Sequence, residues 1–233
     1  MNVKIIAYTP NMEKVIATAG KLCYSNKPKI ENPETMTDEV AEKFIRQIME
    51  VGHSSVLEHA SITFAIEGVS RALLAELTRH RIGCSYSVRS QRYCSEKEHE
   101  FVTPKTLENA NIGGENAKEA FTDYVEKGKK LYTAMIDAGI PKEDARMLLH
   151  NATCTRLIVT MNVRALHHFF NLRCCNRAQW EIREMANIML KECRKISPLL
   201  FEKAGASCVT LGYCPEGSRC CGRAKTLKEL VGK

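Results

Sequence analysis

The chain has 233 residues, 44% hydrophobic and 26% charged, with a formal net charge of +7. That composition suits a soluble globular protein with a real core, and the length suits one large domain or two small ones. No 18-residue apolar run is present, which excludes a transmembrane helix, while the positive charge keeps nucleic acid, anionic lipid and phosphorylated small molecules open as partners.

MNVKIIAYTP reads as a first strand over residues 2–9 rather than a signal peptide. Residues 10–36 carry no assignment. Thr37 caps DEVAEKFIRQIMEVG, a helix with early acids and Gly52 as its stop. In HSSVLEHASITFAIEG, Ser55 and Glu58 have capping-box spacing with room for only a short turn, and Ile62, Phe64 and Ile66 alternate as a strand over 60–67 that ends at Gly68. VSRALLAELTRHR has helical pattern, which puts its arginines at a helix C-terminus where the dipole favours cations; SYSVRSQRY after it is loop or extended. Residues 95–113, with the Gly113–Gly114 pair, read as a loop with a boundary. A long amphipathic helix then runs to Gly139, and a second starts at Pro141 in PKEDARMLLH. TCTRLIVTMN is a strand, and VRALHHFFNLR and AQWEIREMANIMLKECRKIS are helices, the last closed by Pro198. The sum is a mixed α/β chain of α+β class with long helices, its Cys- and Gly-rich tail starting at Ala206.

Charge placement is more telling than its total. Leu77–Ser95 holds four arginines and Ala145–Trp180 five, with no Lys, Asp or Glu in either window. Lysines lie elsewhere, mixed with acids as on a solvated face. Arginine alone points to bidentate recognition of phosphate or carboxylate. In RHRIGCSYSVRSQRY the forks of Arg79, Arg81 and Arg92 alternate with short donors such as Ser85 and Ser90. A solvated C-terminal turn is the bland reading, weakened by the absence of acids. Three polar residues in a row cannot share one helix face, so Arg79-His80-Arg81 serves more than one ligand. In NVRALHHFFNLRCCNRAQWEI, Asn162, Arg164, His168, Arg173 and Arg177 are the polar members. If the helix continues, Arg173 and Arg177 share a face and an anion between them offsets their repulsion; the bland reading is an amphipathic helix with surface arginines. His53 reads more simply as structural.

Eleven scattered cysteines without a secretory leader fit a reducing cytoplasm. In the tail, Cys208, Cys214, Cys220 and Cys221 leave zinc ligation, a disulfide or inert thiols open. HEXXH, GxGxxG, GxxxxGK[ST] and GxSxG are absent.

RHR followed by Ser85, Ser90 and Arg92, with GHSSVLEHASITFAIEGVSRALLAELTRHR upstream and NVRALHHFFNLRCCNRAQWEI downstream, resembles the flavin-dependent thymidylate synthases over roughly residues 1–205. The resemblance implies methylation of dUMP to dTMP. Methylenetetrahydrofolate supplies the carbon, FAD carries the hydride and NADPH is the reductant. It also implies a mixed α/β subunit with an antiparallel sheet and long helices, in a cytoplasmic homotetramer with no nucleic-acid or membrane partner. The family's dUMP site falls on Glu76, Arg79, Ser90, Gln91, Arg92, Arg146 and Arg173. Its flavin site falls on His53, Ser55, Arg79, His80, Arg81, Asn162, Arg164, His168 and Arg177. Arg173 corresponds to the arginine that favours the N3-ionised pyrimidine, a catalytic role that needs no enzyme nucleophile. The family has two residues between RHR and the first Ser; here Ile82, Gly83 and Cys84 make three, which fits a bulge or wider loop. Residues 1–205 form the catalytic domain in this reading and 206–233 an appended tail. The rival readings are an RNA- or DNA-binding module, with Tyr86 and Tyr93 stacking on bases, and a zinc protein centred on the tail.

Overall fold

A computed structural model describes residues 1–26 and 29–231 of the chain. Four strands form one sheet in the order β1 (Asn2–Tyr8), β2 (Ser61–Ser70), β6 (Cys154–Asn162), β3 (Cys84–Val88). Asn162 N–H donates to Gly83 O beside one end of the β3–β6 pair and Arg89 N–H to Arg156 O beside the other, so the two strands run antiparallel. A second, two-stranded sheet pairs β4 (Asn111–Ile112) with β5 (Glu115–Asn116). Gly113 and Gly114, both at positive φ, are its turn, so the glycine pair closes a hairpin where the sequence suggested a boundary. The architecture is α+β.

The chain groups into two compact units. One comprises Met1–Asn2, Ile66–Arg79 and Tyr86–Ile158; the other comprises Val3–Ala65, His80–Ser85 and Val159–Lys233. In the first unit, α3 (Arg71–Leu77) and α4 (Ala117–Asp137) supply the buried Leu73, Leu77, Val125 and Tyr132. Asn116 caps α4 by accepting from the Lys118 and Glu119 N–H groups, and Gly139 at φ +85 follows its end. Lys142–Ala145 (α5) is followed by a tighter turn at Arg146–Leu148, so the helix expected over PKEDARMLLH is a single short one.

In the second unit, α1 (Met12–Leu22) and α2 (Asp38–Glu50) bury Met12, Ile16, Ile45 and Ile48. Thr37 caps α2 as expected, through a bond from Val40 N–H at 3.4 Å. Helix α1 is hard to read in the sequence because its signals are weak: Asn11 sits at φ +48 without a side-chain cap, and Gly20 interrupts the pattern. That glycine is needed, since a Cβ there would lie 2.4 Å from the Phe44 ring. Val163–Arg173 (α6) and Trp180–Ile196 (α7) pack Leu166, Phe169, Phe170, Ile182, Met185 and Met189. Pro198 opens the short α8 (Pro198–Phe201), and the tail adds α9 (Ser207–Leu211) and α10 (Leu227–Val231).

Two boundaries differ from expectation and matter to the site. Strand β2 runs through Gly68 (φ +67) to Ser70, whose hydroxyl accepts from Leu73 N–H at 3.0 Å and starts α3 there. Helix α3 stops at Leu77, where the Tyr86 hydroxyl donates to the last carbonyl at 3.0 Å. Arg79, His80 and Arg81 therefore lie beyond the helix, not in its last turn. Likewise α6 ends at Arg173, and Gln179 caps α7 by accepting from Glu181 and Ile182 N–H. Arg173 and Arg177 thus share no helical face; Arg177 sits exposed in the connecting turn.

Candidate functional site

The first-unit residues expected to bind the nucleotide come from four places: Glu76 on α3, Arg79 just beyond it, Ser90–Arg92 after β3, and Arg146 after α5. Residues 90–94 form one turn, in which Cys94 N–H donates to Ser90 O at 3.0 Å and Arg92 N–H to Ser90 Oγ at 3.2 Å. The side-chain amide nitrogen of Gln91 is buried and has no partner among the described residues. Arg92 pairs with the Glu143 carboxylate at 2.7 Å and lies 5.5 Å over the Tyr93 ring. Arg146 Nε donates to the Glu143 carbonyl at 3.1 Å. Both arginines therefore meet one residue of α5, which sequence reasoning did not single out. Burial pushes the nearby Arg71 guanidinium down; Glu96 opposes this, while Arg89 and Arg146 add to it as like charges. Arg79, exposed, closes this unit's set.

In the second unit His80 is buried, with 8% of its surface exposed. Arg173 Nε donates to His80 Nε2 at 3.0 Å. A guanidinium has no acceptor, so His80 accepts there and carries its proton on Nδ1. The His80 ring also meets Phe169 edge-on at 5.1 Å and His168 at 5.9 Å. The two arginine windows thus converge at one hydrogen bond. Asn162 caps α6 by accepting from Ala165 N–H at 2.8 Å. Gly83, at φ +69, lies against it: a Cβ there would fall 2.5 Å from Asn162 Nδ2. The extra residue between RHR and Ser85 is accommodated by this left-handed glycine just before β3. Arg164 forms an ion pair with Glu58. His53, following Gly52 at φ +71, has its Nδ1 3.3 Å from the Tyr24 hydroxyl. Arg81 and Ser55 are exposed.

The donor chemistry fits both ligands that the sequence implies. Exposed guanidinium groups of Arg81 and Arg177 suit the diphosphate of a dinucleotide. The orphaned buried donor of Gln91 suits a polar group of a nucleotide.

No cysteine belongs to either set. Burial pushes the Cys174 thiol, next to Arg173, up to about 11, with Arg223 and Arg194 opposing, and burial raises Cys193 further. In the tail, a backbone bond from Glu216 pulls the Cys214 thiol down, but burial and the neighbouring Cys220 and Cys208 thiols outweigh it. None of the eleven cysteines is joined in a disulfide, and among the described residues no group of three His, Cys, Asp or Glu side chains is arranged to hold a metal. Nor is any described helix long and apolar enough to cross a membrane.

The sequence model of the family described as thymidylate synthase complementing protein matches residues 4–199. The chain is 44% identical to a flavin-dependent thymidylate synthase of Geobacter sulfurreducens, over 99% of this chain and 97% of that one. It is 42% identical to that of Clostridium tetani, over 99% and 96%, and 40% identical to that of Pyrococcus furiosus, over 93% and 90%. Neither polynucleotide binding nor tail-centred zinc binding gains support from these relatives. With matches of this length and the two arginine windows meeting at His80 and Arg173, the chain belongs to the flavin-dependent thymidylate synthases.

Proposed function

We propose that this enzyme converts dUMP to dTMP by reductive methylation, with 5,10-methylenetetrahydrofolate as carbon donor and NADPH as reductant, leaving tetrahydrofolate. The observation that carries the reading is the His80–Arg173 hydrogen bond, which fixes a cation from the second arginine window against the RHR segment of the first. A cation held in advance stabilises negative charge that develops on the pyrimidine, because no reorganisation is needed when the charge appears. Glu76, Arg79, Ser90, Gln91, Arg92, Arg146 and Arg173 bind the nucleotide. The arginines take the phosphate, the short donors complete its shell, and Arg173 acts at the base. His53, Ser55, Arg79, His80, Arg81, Asn162, Arg164, His168 and Arg177 hold FAD. When bound, the flavin supplies the hydride. No covalent enzyme intermediate is required, in keeping with the raised Cys174 thiol. In the same reading residues 1–205 are the catalytic part, residues 206–233 are an appendage, and the enzyme works as a cytoplasmic homotetramer without nucleic-acid or membrane partners.

The test is spectroscopic and chemical. Protein reconstituted with FAD is expected to show a flavin spectrum that bleaches with NADPH, and to form dTMP when dUMP and methylenetetrahydrofolate are added. A protein that never takes up FAD, yet binds polynucleotide with steep salt dependence, overturns the reading.

A further inference from the structure

Of the four arginines in the first window, one belongs to neither ligand set. Arg89 precedes the nucleotide turn, and its side chain is 27% exposed while that of its partner Glu96 is 1% exposed. One guanidinium makes two bonds: Nη1 donates to Glu96 Oε2 at 2.7 Å and Nη2 to the Ser95 carbonyl at 2.8 Å. The residue is also fixed through its backbone. Its N–H donates to Arg156 O at 3.0 Å, and its carbonyl accepts from Arg71 Nη2 at 2.9 Å. Glu96 is anchored in turn, its N–H donating to the Tyr132 hydroxyl on α4 at 3.1 Å.

Between Arg89 and Ser95 lie only residues 90–94, the turn that carries Ser90, Gln91 and Arg92. The fork of Arg89 therefore spans the turn from its first flank to its last. A planar guanidinium with fixed donors does this; a lysine reaches one partner at a time. The pair is costly to break on one side, because a carboxylate as buried as Glu96 then loses its hydrogen-bonded cation. A segment ordered before the ligand arrives loses less conformational freedom on binding.

We propose that Arg89, paired with Glu96, is a positioning residue that holds the Ser90–Gln91–Arg92 turn in its phosphate-binding shape. The proposal rests on the dUMP reading above. Its test uses the FAD-loaded enzyme and compares Arg89→Met, Arg89→Lys, Glu96→Gln and Arg92→Ala, measuring the dUMP dissociation constant directly together with KM, kcat and FAD affinity. Arg89→Met is expected to raise the Kd and KM for dUMP about tenfold or more, with kcat at saturating dUMP and FAD affinity nearly unchanged. Arg89→Lys is expected to recover part of the loss, and Glu96→Gln to give a smaller rise of about threefold. Arg89→Met with wild-type dUMP binding, alongside an Arg92→Ala variant that binds weakly, overturns the positioning role; lowered thermal stability with unchanged KM overturns it too. If Arg92→Ala itself binds dUMP normally, the nucleotide reading fails and the proposal with it. Should Arg89→Met not fold, Glu96→Gln decides, and a wild-type Kd there overturns the proposal.

Discussion

Arg173 is held at its Nε by His80, so the plane of its guanidinium is set by a buried ring. Replacing it removes a cation whose position is fixed before the substrate binds. Arg173→Ala is therefore expected to lower thymidylate formation by about a hundredfold or more, while FAD stays bound, because Arg173 is not itself in the proposed flavin set and, of that set, bonds only His80. Turnover at the wild-type level in this variant removes the assigned role. The identity of Arg173 as a candidate was readable from residue types, since a window of arginines without acids offers no neighbouring carboxylate in the sequence to explain them. Its partner was not readable: 93 positions separate it from His80. The same holds for Glu143, which meets both Arg92 and Arg146 from the short helix α5.

At the scale of elements, strong local signals succeeded and weak ones failed for identifiable reasons. Helix α2 and helix α4 follow their apolar spacing and side-chain caps, and β6 follows its β-branched run. The helix read across VSRALLAELTRHR is shortened at both ends by hydrogen bonds from elsewhere in the chain. Arg71 and Ala72 N–H donate to Thr153 and Asn151 carbonyls at one end, and Tyr86 takes the Leu77 carbonyl at the other. Helix α6 shows how an element is pinned. His167 stacks on Phe201 of α8 at 5.5 Å, and burial holds its pKa below the ordinary 6.5 despite a hydrogen bond to the Leu200 backbone. A lowered histidine stabilises the fold above the unfolded value near 6.5, and that contribution is lost as the pH falls through the lower folded value. Denaturant unfolding at about pH 7.5 and about pH 5.5 is expected to show wild-type stability dropping on acidification, and His167→Gln dropping less. Equal drops contradict the assignment.

For the whole molecule, the proposed tetramer makes the clearest demand. Light scattering on the purified enzyme is expected to give a mass near four times the 26.2 kDa chain, with specific activity falling on dilution below the dissociation constant. A monomer that keeps full activity at high dilution contradicts the proposed tetramer. The net charge of +7 belongs to this scale as well: it draws anionic substrates toward the protein without telling which arginine meets them.

The chain by itself determined the chemistry available: arginines without acids in two windows, short donors among them, and enough family pattern to identify the reaction class. These are properties of residue type and order, so they need no coordinates. Only the tertiary structure decided which groups meet. It placed RHR outside a helix, put Gly83 against Asn162, joined His80 to Arg173, and clasped the 90–94 turn between Arg89 and Glu96. The physical reason is that each depends on hydrogen bonds and ring contacts formed after the chain closes on itself, and a local pattern has no record of a partner it meets only in the fold.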